Sequence, residues 1–133
     1  MTSIKEHKKI VGEFLDDINE KIKANLLAER QKIIGFSASE ASVNLFAALL
    51  HKKRIIEPSL NINHRYFASQ KIAENKFNFN FPNKDKILSL LISQESYRTK
   101  LCYGKEKGAE IVNSAIKNLF ELKNLIEPEL EEK

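Results

Sequence analysis

The sequence predicts an all-α fold, an up-and-down bundle of four or five helices, from three observations. Apolar residues recur at three- and four-residue spacing through most of the chain, the period of a helix with one buried face. Four glycines and three prolines in 133 residues leave little material for a turn-rich β architecture. From Ala41 to Leu50 the chain is apolar on nearly every side, as a helix enclosed by other helices must be. A chain of 133 residues suits one domain, and a single helical domain is expected to span it, with an acidic C-terminal tail over residues 127–133.

A first helix is expected from Ile4 through Ile33, because Ile4, Val11, Leu15, Ile18, Ile22, Leu26 and Ile33 form one stripe, with Gly35 ending it. Ser37 followed by Glu40 reads as a capping box, so a second helix is expected to start there. It ends in the cations His51, Lys52, Lys53 and Arg54, which suit a helix C-terminus, before Pro58. A loop with Asn61 and Asn63 leads to a short third helix, from His64 to Glu74. Phenylalanine then alternates with asparagine at Phe77, Phe79 and Phe81, the period of an extended chain, so this segment is a loop or a lone strand. Its three rings are expected to pack against the bundle or a second subunit; the alternative is that they stack on unpaired bases. The fourth helix spans Lys84 to Cys102, with Asn83 as cap and Gly104 at its end. The fifth runs from Glu106 to Ile126 and closes at Pro128.

The formal net charge is +4 and the pI about 9.1, at the lower edge of what marks a nucleic-acid binder. Lys52, Lys53, Arg54, His64, Arg65 and Lys71 gather near the middle, which makes either a basic binding surface or a solvated charged face. One cysteine, Cys102, excludes an intrachain disulfide and a cysteine zinc cluster. There is no zinc-enzyme histidine spacing and no glycine-rich phosphate loop, so no metal or cofactor is expected. No run approaches the roughly 20 consecutive apolar residues of a membrane span, and the N-terminus lacks a signal-peptide core, so a cytosolic protein without membrane partners is expected.

Arg98 breaks the helical pattern. Ile87, Leu91, Gln94, Arg98 and Leu101 follow one another at steps of four, three, four and three, which places a guanidinium in a stripe of leucines. That group effectively never loses its proton and must find an anion or hydrogen-bond acceptors. Tyr103 stands five residues on, about one and a half turns away, so both side chains are candidates for one phosphate-sized ligand. His64 and Arg65, at the start of the third helix, are candidates to approach the same cleft from the other side, whereas His7 and His51 are expected on the surface. The competing reading pairs Arg98 with a carboxylate such as Glu95 or Glu40 and leaves Tyr103 to pack the helix end.

The segment Ser39 to Leu50, the connection holding His64, and Arg98 to Tyr103 followed by an amphipathic helix together resemble the HEPN superfamily of small helical domains. The resemblance implies an up-and-down bundle, usually dimeric, often encoded beside a nucleotidyltransferase partner in prokaryotic toxin and antitoxin pairs. Active members are metal-independent endoribonucleases whose motif is an arginine, four to six residues, then a histidine. Arg98 stands at the arginine position and Tyr103 at that of the histidine. In the reaction the 2′-hydroxyl attacks the adjacent phosphate, the arginine stabilises the charge on the phosphoryl oxygens, and the histidine moves protons. A phenol titrates near 10, so Tyr103 is a poor base at neutral pH, although it can donate a hydrogen bond or stack. RNA or nucleotide binding through Arg98 and Tyr103, with catalysis weak or absent, is therefore the first expectation. A dimerisation and partner-docking module with a structural Arg98 is the second; an active endoribonuclease, with His64 supplying the proton transfer, is the third.

Overall fold

The structure, a computed structural model, describes residues 4–56 and 61–131. Its first helix, α1 (Ile4–Lys23), is shorter than the apolar stripe predicted. Asn25 takes a left-handed φ of 57°, its N–H donates to Ile22 O, and Leu26 N–H donates to Lys21 O at 3.0 Å, the paired bonds of a Schellman stop. Asparagine tolerates this conformation better than other non-glycine residues, so the expected run to Ile33 is cut there. The next helix, α2 (Gln31–Lys52), begins well before Ser37 and ends in the same motif, with Arg54 at φ 57° and Ile55 N–H donating to Leu50 O. The predicted stop at Pro58 lies outside the described residues.

Gly35 and Ser37, expected at a helix boundary, both lie buried inside α2. A methyl group at Gly35 would sit 2.8 Å from Leu101 Cβ, so this glycine serves the close approach of another helix rather than a chain reversal. The expected capping box is absent because Ser37 lies inside the helix, and the Glu40 carboxylate reaches across to Arg98 instead.

The predicted third helix is split by two caps. Asn63 Oδ1 accepts from Arg65 N–H at 2.8 Å and starts a single 3₁₀ turn, His64–Phe67; Ser69 Oγ accepts from Ile72 N–H at 3.1 Å and starts α3 (Gln70–Lys76). The phenylalanines that follow form no strand among the described residues. Phe77 and Phe81 are buried and Phe79 half-buried, and Phe46 of α2 meets Phe67, Phe77 and Phe81 at ring-centroid distances of 5.7, 5.0 and 5.3 Å. Rings at such separations add to the burial they already provide.

α4 (Lys84–Cys102) has the predicted bounds; Asn83 precedes it at φ 58° without a side-chain bond, and Gly104 follows at φ 78°. α5 (Ala109–Leu130) starts later and runs further than expected, passing through Pro128. A proline this close to a helix end removes one N–H while its neighbours keep theirs, and Glu131 N–H still reaches Glu127 O at 3.2 Å. Residues 127–130 are thus a packed last turn with Leu130 buried, not the start of a tail.

α2 packs against α1, α4 and α5 and forms the centre of an all-helical bundle. Side-chain pairs give the directions. His7 meets Asn44 and Phe14 meets Phe36, so α1 runs antiparallel to α2; Glu40 meets Arg98 and Lys32 meets Cys102, so α4 does too; Lys53 meets Glu129 and Gln31 meets Lys107, so α5 runs parallel to α2. By length and composition α2 alone among the described helices would cross a membrane, but most of its apolar stretch is buried by its neighbours, as in any core helix.

Candidate functional site

Arg98 is buried, 9% exposed, on the inner face of α4 in the stripe that the sequence predicts. Its Nη1 donates to Glu40 Oε2 at 2.9 Å and to Ser39 Oγ at 3.2 Å, both on α2, and its guanidinium lies 4.9 Å from the centroid of Phe36. Both bonds leave from one nitrogen; Nε and Nη2 make none to a described residue. Three earlier and on the same face of α4, Glu95 Oε2 meets His64 Nδ1 at 2.8 Å. An ion pair and a histidine–carboxylate hydrogen bond therefore run side by side along α4, the first tying it to α2 and the second to the 3₁₀ turn, each partly shielded from water.

Of the sequence-predicted site residues, Arg98 and His64 thus share one polar seam. Tyr103 does not join it by any contact: it is the residue after α4, with extended backbone, and 66% exposed. Arg65 is exposed, and its backbone N–H donates to the Asn63 cap and not to the seam. The seam's two carboxylates, Glu40 and Glu95, are the residues offered above as alternative partners for Arg98; the structure gives Glu40 to Arg98 and Glu95 to His64.

Cys102, the one thiol, lies at the end of this seam, where its Sγ approaches Lys32 O at 3.4 Å. Burial pushes its pKa up, the Arg98 charge pulls it down, Glu95 raises it and Lys32 lowers it, and the net effect is upward. A raised pKa keeps it a thiol at neutral pH, which disfavours it as a nucleophile. Among the described residues no cluster of three or more histidine, cysteine or carboxylate groups is placed to hold a metal ion.

A second polar junction was not legible as a site. His7, expected on the surface, is 8% exposed, and its ring stacks on His51, also expected outside, at a centroid distance of 5.3 Å and 18° between planes. The cause is register: His7 falls in the buried stripe of α1 with Val11 and Ile18, facing the last turn of α2. A groove of about 360 Å³ lies beside it, walled by Ile10, Phe14, Val43, Ala47 and Ile62 with Glu40 and Asn44.

The exposed large apolar side chains have their own pattern. Ile33 and Phe36, one turn apart on α2, are 47% and 42% exposed, and Phe36 touches Phe14 edge-on at 6.0 Å. Comparison with known protein families, characterised proteins and solved structures finds no match for this chain.

Proposed function

We propose that this chain is a cytosolic docking module of HEPN-like layout that assembles as a homodimer, with Arg98 as an internal clamp and no catalysis of its own. The observation that carries the reading is the closure of Arg98: its charge is taken up by Glu40 and Ser39 within the chain, while Ile33 and Phe36 on α2 remain 47% and 42% exposed. A buried ion pair of this kind holds α4 at one position against α2 and balances the guanidinium charge within the chain. The two apolar side chains are what a partner would cover.

A second copy is the occupant that the surrounding charge favours. Ile33 borders a groove of about 310 Å³ together with Glu29, Arg30, Lys32 and Glu106, two charges of each sign. A two-fold contact brings the same patch against itself, so a rim carrying both signs can pair with its own copy. A nucleotidyltransferase-type protein, implied by the resemblance, is then a further partner of the assembled dimer. Sedimentation of the wild type against Ile33→Ser/Phe36→Ser tests this. A dimer that the double variant converts to a monomer supports the reading; a wild type monomeric up to about 100 µM, far above a typical micromolar Kd, overturns it.

RNA or nucleotide binding is kept as a second reading because one observation favours it. Nε and Nη2 of Arg98 are without bonds to described residues, and Glu95 holds His64 by Nδ1, which presents Nε2 as the free ring nitrogen. An RNA phosphate entering the seam would meet guanidinium donors and an imidazole able to move a proton, without Tyr103. Incubation with single-stranded RNA in chelator separates the cases: cyclic-phosphate ends abolished by His64→Ala mark an endoribonuclease, and intact RNA with binding lost in Arg98→Ala marks a binder.

A further inference from the structure

We propose that the stacked His7 and His51 pair is an acid-sensitive latch, which holds α1 on α2 while both imidazoles are neutral and releases it when either takes up a proton.

The tautomer of a neutral His7 follows from a chain of hydrogen bonds. Asn44 Nδ2 donates to Glu40 O at 2.8 Å, which fixes the amide with Oδ1 toward α1. His7 Nδ1 lies 2.8 Å from that Oδ1, so it is the N–H bearing nitrogen, and in the neutral ring Nε2 carries the lone pair. Nε2 is buried without a hydrogen-bond partner, and so is Nε2 of His51. A proton added at either atom would create a buried N–H⁺ with nothing to accept it, a few ångströms from the other ring.

The surrounding charges give no relief. On α1, Lys8 reaches Glu131 of α5 at 3.8 Å. On α2, Glu40 borders the same groove as His7 but its carboxylate is engaged by Arg98 of α4, and Lys53, two residues from His51, is bridged to Glu129 of α5 at 3.5 Å. The connection contributes Asn61 and Ile62, both uncharged. Desolvation by burial, with repulsion from His7 second, lowers the His51 pKa below 6.5. Protons therefore bind the opened form more readily than the closed one as the pH falls below 6.5.

What opens is set by the architecture. α1 packs its backbone against α2 alone among the described elements, so it can leave without unpacking the interface of α4 and α5. Two metal-free imidazoles are the relevant state, since in-plane lone pairs of near-parallel rings do not converge on one ion.

Hydrogen exchange of the full chain at pH 7.5 and 5.5, corrected for intrinsic rates, tests the proposal. Protection of the α1 amides should fall on the order of tenfold at the lower pH while α4 and α5 keep theirs. The variant His7→Phe/His51→Phe keeps two stacked rings and removes both protons, and should lose this pH dependence. Equal protection of α1 at both pH values, or an unchanged pH dependence in the double variant, overturns the latch. Because that variant can fail to fold, an NMR titration of the wild-type imidazoles is the second measurement: the His51 ring should titrate below 6.5, and His51 titrating at or above 6.5 overturns the proposal.

Discussion

α2 bears a polar junction on each of two sides, and the two are built differently. Toward α4, Arg98 has Glu40 and Ser39, and Glu95 has His64: unlike groups meet, and each has a partner. Toward α1, two groups of the same kind are stacked, one bond secures His7 to Asn44, and two buried nitrogens are left over. The Arg98–Glu40 pair of the first arrangement is insensitive to pH near neutrality, because a guanidinium does not titrate there and its carboxylate partner is already charged. The second is stable only while both rings are neutral. A bundle can thus be firmly joined on one side of its central helix and conditionally joined on the other.

The sharpest break in this contrast is removal of one partner from the α4 side. Glu40→Ala leaves the Arg98 charge buried beside Ser39, and urea unfolding should show a loss of roughly 3 kcal/mol, the lower end for a buried pair because the Glu40 side chain is partly exposed. The double variant Glu40→Leu/Arg98→Leu should recover most of that loss, since apolar residues of similar size replace such pairs at little cost. If the single variant unfolds like the wild type, Arg98 is not a clamp and the docking reading loses its support.

Next in size is Gly35→Ala. The added methyl meets Leu101 Cβ at 2.8 Å, a clash that neither helix can relieve without moving, and α4 should lose about 2 kcal/mol of its attachment to α2. The same substitution at Gly12 of α1, where nothing lies within 4 Å, should leave stability unchanged or raise it by about 0.5 kcal/mol through helix propensity. Thermal melts of the two variants give this comparison directly.

These glycines show which parts of the structure could be read in advance. The stripe of α4 was legible because Ile87, Leu91 and Leu101 fix the face on which Arg98 must lie. The centre of the bundle was legible in the uninterrupted apolar run of α2. Gly35 was misread as a stop because a glycine chosen for close approach and one chosen for a left-handed turn look alike in one dimension, whereas Asn25, the true stop, carries only a weak turn signal. Arg98's partner was open between Glu40 and Glu95 because both suit its reach, and only the antiparallel register of α2 and α4 decides between them. His7 and His51 are 44 positions apart in sequence, and no local pattern announces that two helices bring them face to face.

The smaller test falls on the α1 side. Asn44→Ala removes the acceptor of the His7 Nδ1 proton and leaves a third buried nitrogen without a partner, at a cost of about 1.5 kcal/mol at pH 7.5. The pH profile carries more information than the value. A histidine whose folded pKa is depressed contributes stability above its unfolded value of 6.5, and that contribution is lost as the pH falls below 6.5 toward the folded value. Wild-type stability from urea titrations should therefore decline on going from pH 7.5 to 5.5. In His51→Phe the His51 share of that decline should vanish, because the group that binds the extra proton on unfolding is gone, while Glu40→Ala should keep the full slope from a lower starting stability. If the slope followed Glu40 instead of His51, the conditional side of α2 would be the one facing α4.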